Sequence, residues 1–223
     1  MNERWSNARW FRGFVLVGWW ALGVSGCSLF SPASHEAVRT FVLMGDTTVE
    51  EEISRIETAT SPSASIPTLL VPIPRARSGF DSARMIYVSR DYEVLPFAYH
   101  RWVDVPARML HPLIVEALEA SGWRVIQPPS QVPSDFRLDV QNVLLQHEFI
   151  HVPSQVQFRA RAQLVEIDPS RIRGIREFVI VEDAPSDDPY GGVVAANRAV
   201  ATFLRQLNDW LQVCMDSSGS HGC

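Results

Sequence analysis

The chain has 223 residues, 46% of them hydrophobic, with 20 basic side chains against 25 acidic ones and a formal net charge of −5. That apolar share excludes wholesale disorder, and the length suits one domain with room for a mobile segment. Every basic residue is an arginine, and the acidic balance excludes a general nucleic-acid binder or a protein held on anionic membranes by charge.

In chain order, Arg4, Arg9 and Arg12 stand against only Glu3, and an uncharged apolar run from Gly13 to Gly23 follows. The run leads into Val24-Ser25-Gly26-Cys27. A positive leader, an apolar stretch and small residues at a cut site form the pattern of an export signal. The closing cysteine makes the segment resemble a bacterial lipobox, in which residues 1–26 are removed and Cys27 is acylated. The alternative is a stop-transfer anchor with an incidental cysteine. No charge falls between Gly13 and Phe30, about the lower limit of a bilayer span. Both readings put the rest of the chain outside the cytoplasm, tethered at its N-terminus. Three arginines and one acid precede Cys27, so a chain cut there keeps 17 arginines against 24 acids. Its hold on the membrane must then come from acyl chains on Cys27. One chain binds marginally, whereas several anchor stably.

Residues 27–36 read as a polar tether and Ala37–Met44 as a first strand. Residues 45–65 carry Glu50-Glu51-Glu52 and a Thr/Ser/Ala/Pro tract. Such a composition buries too little apolar surface to offset ordering, so a mobile linker with solvated acids is expected. Leu69–Ile73 reads as a buried strand. Met85–Val88 and Tyr92–Leu95 flank Ser89-Arg90-Asp91 as a hairpin. A helix follows, with Asp104 as N-cap, Pro106 in the first turn, and a stripe of Met109, Leu110, Leu113, Ile114, Ala117 and Leu118 up to Gly122. Pro112 inside that stripe predicts a separate first turn or a kink. Trp123–Ile126 is a short strand ended by Pro128-Pro129.

Two alternating stretches come next. Phe136, Leu138 and Val140 point one way, and Arg137, Asp139 and Gln141 the other, with a shift near Asn142 that suggests a bulge. Val156, Phe158, Ala160, Ala162 and Leu164 then alternate with Gln155, Gln157, Arg159, Arg161 and Gln163. Period-two patterning predicts an antiparallel sheet with one apolar and one wet face. Glu177–Val181 is a further strand. A helix from about Tyr190 to Val213 carries Val193, Ala196, Val200, Phe203, Leu204, Leu207, Trp210 and Leu211 on one side. The order predicts an α+β domain over residues 37–213, an antiparallel sheet with two main helices packed on one face, and a tail over 214–223.

His147-Glu148-Phe149-Ile150-His151 matches the H-E-x-x-H zinc pattern, which works only on a helix, where residues four apart share a face. Here the flanks Leu138-Asp139-Val140 and Val152-Pro153 are strand-like. Positions four apart on a strand lie about 13 Å apart, too far to chelate one ion. There is no G-x-S-x-G, no nucleophile at a recognisable spacing from a histidine, and no lysine for a P-loop. Gly191-Gly192 reads as a flexible helix start beside Tyr190. No catalytic residue, metal or cofactor is expected.

Arg159 and Arg161, on the wet side of their strand, offer a partner surface or simply a solvated face. Phe97-Ala98-Tyr99-His100-Arg101-Trp102 either packs its aromatics under the first helix or exposes Tyr99 and Trp102 to a partner or lipid. Cys214 and Cys223 can join in a disulfide, which export permits, or remain two free thiols.

Several segments together resemble a known family. They are Leu70-Val71-Pro72-Ile73-Pro74, Gly79–Tyr87, Phe97–Pro106 leading into the helix, and Ala195-Ala196-Asn197-Arg198-Ala199-Val200 before Leu204, Leu207 and Trp210-Leu211. Their order and the lipobox are similar to the ABC-type transport auxiliary lipoproteins, which include the PqiC-like lipoproteins, over roughly Phe41 to Gln212. The resemblance implies a non-enzymatic periplasmic lipoprotein on the outer membrane, assisting a transporter of lipids or other hydrophobic molecules. Its implied partner is an MCE-domain protein, beside the membrane itself and copies of the same chain. Only Cys27 carries over as a functional position, and Ser28 after it fits export onward to the outer membrane. The alternatives are an envelope-structural or assembly lipoprotein and a zinc hydrolase using His147, Glu148 and His151.

Overall fold

A computed structural model describes residues 37–44, 67–216 and 223. Cys27 and the residues read as signal, tether and linker, 1–36 and 45–65, lie outside the described residues. The described part has eight strands and two helices. In chain order they are β1 (Arg39–Phe41), β2 (Thr68–Leu70), β3 (Arg84–Val88), β4 (Leu95–Trp102), α1 (Pro106–Ala120), β5 (Arg124–Ile126), β6 (Phe136–Glu148), β7 (Gln155–Glu166), β8 (Arg171–Asp183) and α2 (Pro189–Asp216).

The α+β class holds, but the sheet is mixed rather than antiparallel. β6–β7, β7–β8 and β3–β4 run antiparallel, while β1–β4, β2–β5, β2–β6 and β3–β6 run parallel. The long strand β6 explains the mixture. One of its sides carries β7 throughout; the other is shared by β2 near Phe136 and β3 near His147, with Ala76 bridging to Val143 between them. β5 returns beside β2 only after α1 has crossed over the sheet, and a strand regained through a helix comes back parallel. Alternation within a strand reports its faces and not its neighbour's direction, so the pattern concealed this.

The core is one cluster between the sheet and both helices. β6 presents Phe136, Leu138 and Val140 to it. Asn142 then adopts φ 57°, a left-handed conformation that asparagine tolerates, and the β6–β7 register shifts between Gln141 and Leu144. Beyond this bulge the inward phase changes to Val143, Leu145 and His147.

On α1, Met109, Leu110, Leu113, Ile114, Val115 and Leu118 are buried. The helix is continuous through Pro112, so its first turn is not separate; Pro112 lies on the exposed side, away from the core. The N-cap is Val105, without a side-chain cap; Asp104 instead accepts from the Val105 N–H and pairs with Arg108 at 2.7 Å. That ion pair holds the Asp104 carboxyl below its usual range, with the Val105 bond adding to the effect. Gly122, at φ 89°, ends the helix as expected. On α2, Phe203 packs between Phe158 and Phe178, tilted to the first and edge-on to the second, at 4.9 and 5.2 Å between ring centroids.

Candidate functional site

The H-E-x-x-H segment lies at the end of β6 and in the turn after it, not on a helix. His147 points into the core and is 3% exposed, whereas His151 lies in the exposed turn. The two imidazoles therefore occupy different environments. Among the described residues, no three His, Cys, Asp or Glu side chains are placed to hold a metal.

His147 instead belongs to a polar chain, running from the core to the exposed Asp187, that sequence reading overlooked. Its Nε2 lies 2.8 Å from Ser154 Oγ, and Ser154 is fully buried. The Ser154 N–H donates to Asp187 at 2.7 Å, and its hydroxyl also bonds that carboxylate. With the hydroxyl donating to Asp187, Ser154 Oγ accepts from Nε2–H, which leaves Nδ1 bare and without a partner. The serine hydroxyl sits between the acid and the imidazole and donates to the acid. Beside the ring a void of about 10 Å³ lined by Trp102, Leu145 and Val156 is at the lower limit for one water. A substrate has no room there.

Burial pushes the His147 pKa down to about 4, against the smaller upward pull of Asp187 and Asp188. Those two acids start α2. Asp188 Oδ1 accepts from the Gly191 N–H at 2.8 Å with Pro189 at the first helical position, an N-cap and proline pairing that sets the helix start. The bond to Gly191 is also the main cause lowering the Asp188 pKa. The Gly191-Gly192 pair has a packing cause. A Cβ on Gly192 would collide with His147 Nδ1, and one on Gly191 with the Ser186 carbonyl. Once the bulge is placed at Asn142, His147 falls in phase with Val143 and Leu145; that was the available signal.

Around His147 gathers a larger ring cluster. Phe149 stacks on it at 4.1 Å and Phe97 at 6.3 Å, Tyr87 joins both phenylalanines, and His100, Phe41 and Tyr190 extend the group outward. Several of these rings are partly exposed, so this end of the sheet is an aromatic surface rather than a sealed core. Of the two aromatics singled out as contacts, Tyr99 is 45% exposed. Trp102 is 3% exposed and belongs to the core, which removes it from any partner surface.

Arg159 and Arg161 lie on the outer sheet face, as their alternation predicts. Arg159 is exposed and donates to Gln157; Arg161 is half-buried opposite Glu177. At the far end of α2, Cys214 and Cys223 form a disulfide with Cα atoms 5.2 Å apart. It covers Gly174 of β8, where any Cβ would strike Cys223 Sγ. An open groove of about 340 Å³ lies nearby, between the ends of the helices, with Trp123 and Met215 as its apolar lining.

Comparison with known proteins places this arrangement. Among solved structures, protein XCC0632 from Xanthomonas campestris, of the family DUF330, superposes with a TM-score of 0.65 at 19% identity. It covers 81% of this chain and 100% of its own. An uncharacterised protein superposes at 0.60 with 14% identity, covering 79% of this chain and 99% of its own. At such identities these likenesses show the shared fold alone. No curated protein matches the chain. The model of the ABC-type transport auxiliary lipoprotein component family matches residues 52–208, most of the chain, and the protein belongs to that family.

Proposed function

We propose that the chain is a non-enzymatic lipoprotein, anchored by acyl groups on Cys27 to the periplasmic face of the outer membrane. There it assists an ABC-type system with an MCE-domain partner in moving lipids or other hydrophobic molecules. The family match across residues 52–208 carries this reading, because that family is a transport auxiliary lipoprotein and not an enzyme class. The buried geometry of His147 supports it by separating the imidazoles that a zinc hydrolase would need on one ion. The Val24–Cys27 pattern supports the anchor, and the net negative chain leaves acyl groups as the means of attachment.

The body presents surfaces rather than a reaction centre: the aromatic end of the sheet with Tyr99, and the outer face with Arg159 and Arg161. Replacement Cys27→Ser tests the reading in membranes. The altered protein is expected in the soluble periplasmic fraction, folded, with the same envelope defect as a strain lacking the gene. Retention in the membrane fraction, or full function of the released protein, contradicts it.

A further inference from the structure

The sheet ends on an open strand. β8 pairs with β7 along its length and with no other described strand. One contact gives the direction of its backbone groups. Ala184 N–H donates to Ser154 O, in phase with the Gln155–Asp183 pair. Antiparallel alternation then turns the N–H and C=O groups of residues 176, 178, 180 and 182 toward β7. Those of Ile175, Glu177, Val179, Val181 and Asp183 point outward. The Arg173 carbonyl keeps the same phase and accepts from the Cys223 N–H at 3.1 Å. Among the described residues the edge is therefore covered at Arg173 and open from Ile175 onward, where Ile175, Val179 and Val181 are 41%, 53% and 48% exposed.

Proteins blunt such edges with prolines, bulges or charges. From Ile175 to Asp183 there is no proline and the register with β7 is unbroken. The charges present are Arg176 and Glu177 near the start and Glu182 and Asp183 at the end, so reversing the strand can set Arg176 against Glu182. A strand of this kind is complementary to itself when reversed. We propose that β8 pairs antiparallel with β8 of a second copy of this chain, about a two-fold axis at Val179.

In that register Val179 meets the partner's Val179, Glu177 meets the partner's Val181, and Arg176 meets the partner's Glu182, twice by symmetry. The outward backbone groups of all five odd-numbered residues then find partners. Three neighbouring registers fail. An axis at Glu177 sets that acid against itself, and one at Ile180 sets Glu177 against Asp183. An axis at Phe178 draws in Arg173, whose carbonyl Cys223 already occupies. Arg176 is positioned for the pairing, its guanidinium lying over the Phe178 ring at 5.0 Å. The dimer goes beyond the transport reading and does not rest on it.

Cross-linking of the full chain in its membranes tests the axis. Facing residues of a hydrogen-bonded pair have Cα atoms about 5.5 Å apart, within reach of a disulfide. Val179→Cys is expected to give a covalent dimer on mild oxidation. Val152→Cys, 91% exposed in the turn after β6, is expected to give none. The register is tested separately on the detergent-purified full chain by sedimentation equilibrium. Arg176→Glu and Glu182→Arg should each weaken dimerisation about tenfold, and the double variant should restore it. A folded Val179→Cys chain that stays monomeric, equal cross-linking at Val152, or charge reversals without effect overturns the proposal.

Discussion

Helix α2 is held at both ends where a side chain is missing, yet by different chemistry. At its N-terminal end Gly192 lies against the imidazole of His147, whose position depends on Ser154 and Asp187. At its C-terminal end the Cys214–Cys223 bridge lies over Gly174 of β8. One contact is polar, buried and sensitive to protons; the other is covalent and sensitive to reductant. The comparison teaches that a glycine can be fixed by what presses on it rather than by its own backbone conformation, since neither Gly192 nor Gly174 has a positive φ.

The largest expected effect separates the two ends by pH. The His147 pKa falls from 6.5 to about 4 on folding, with burial as the main cause. Between those values the unfolded chain binds a proton that the folded chain does not, so stability rises with pH across the window. It is fully present above about pH 6.5, and roughly 3 kcal/mol is lost as the pH falls to about 4. The depressed Asp187 and Asp188 carboxyls lose their own contribution at lower pH still. Urea unfolding from pH 7 to pH 4 checks this. His147→Gln should flatten the slope, and an equal slope in that variant would break the assignment.

Next in size, Gly192→Ala drives a methyl into a ring that Phe149 and Ser154 hold in place. A loss of about 2–3 kcal/mol is expected, in the range of core overpacking, read from the urea midpoint. A neutral result would mean that the helix end is looser than its contacts imply. The smallest effect belongs to the covalent end. The bridge closes a loop with a sequence separation of only 9, so reduction should cost about 2 kcal/mol in thermal or urea unfolding. Reduction should leave the pH slope untouched; a changed slope would show the two ends to be coupled.

How much of this was legible depended on whether the cause was local. The strand alternations, both helices, the Gly122 stop and the Asn142 bulge follow from nearest-neighbour patterning, and the chain shows them. The parallel pairings do not, because the partners of β2 and β3 along β6 are decided by the path of the chain through α1. Asp104 looked like an N-cap, but Arg108 one turn on competes for its carboxylate. Pro112 looked like a break, yet the helix runs through it with the ring on the exposed side. At the candidate site, the strand-like flanks were enough to disqualify the zinc pattern. The link from His147 through Ser154 to Asp187 was hidden, since it joins residues brought together by β6, β7 and the start of α2. Trp102 shows the limit of composition, for an aromatic-rich stretch does not say which of its rings turns inward.

The central claim is that this chain acts by holding a transport partner at the membrane and not by catalysis. The most direct measurement purifies the full, membrane-extracted protein and identifies by mass spectrometry what accompanies it, with metal analysis of the same sample. The account predicts that an MCE-domain subunit of an ABC-type system co-purifies in stoichiometric amount and is lost in the Cys27→Ser chain. Purification without any such subunit, or one bound zinc per chain that disappears in His147→Ala, would contradict it.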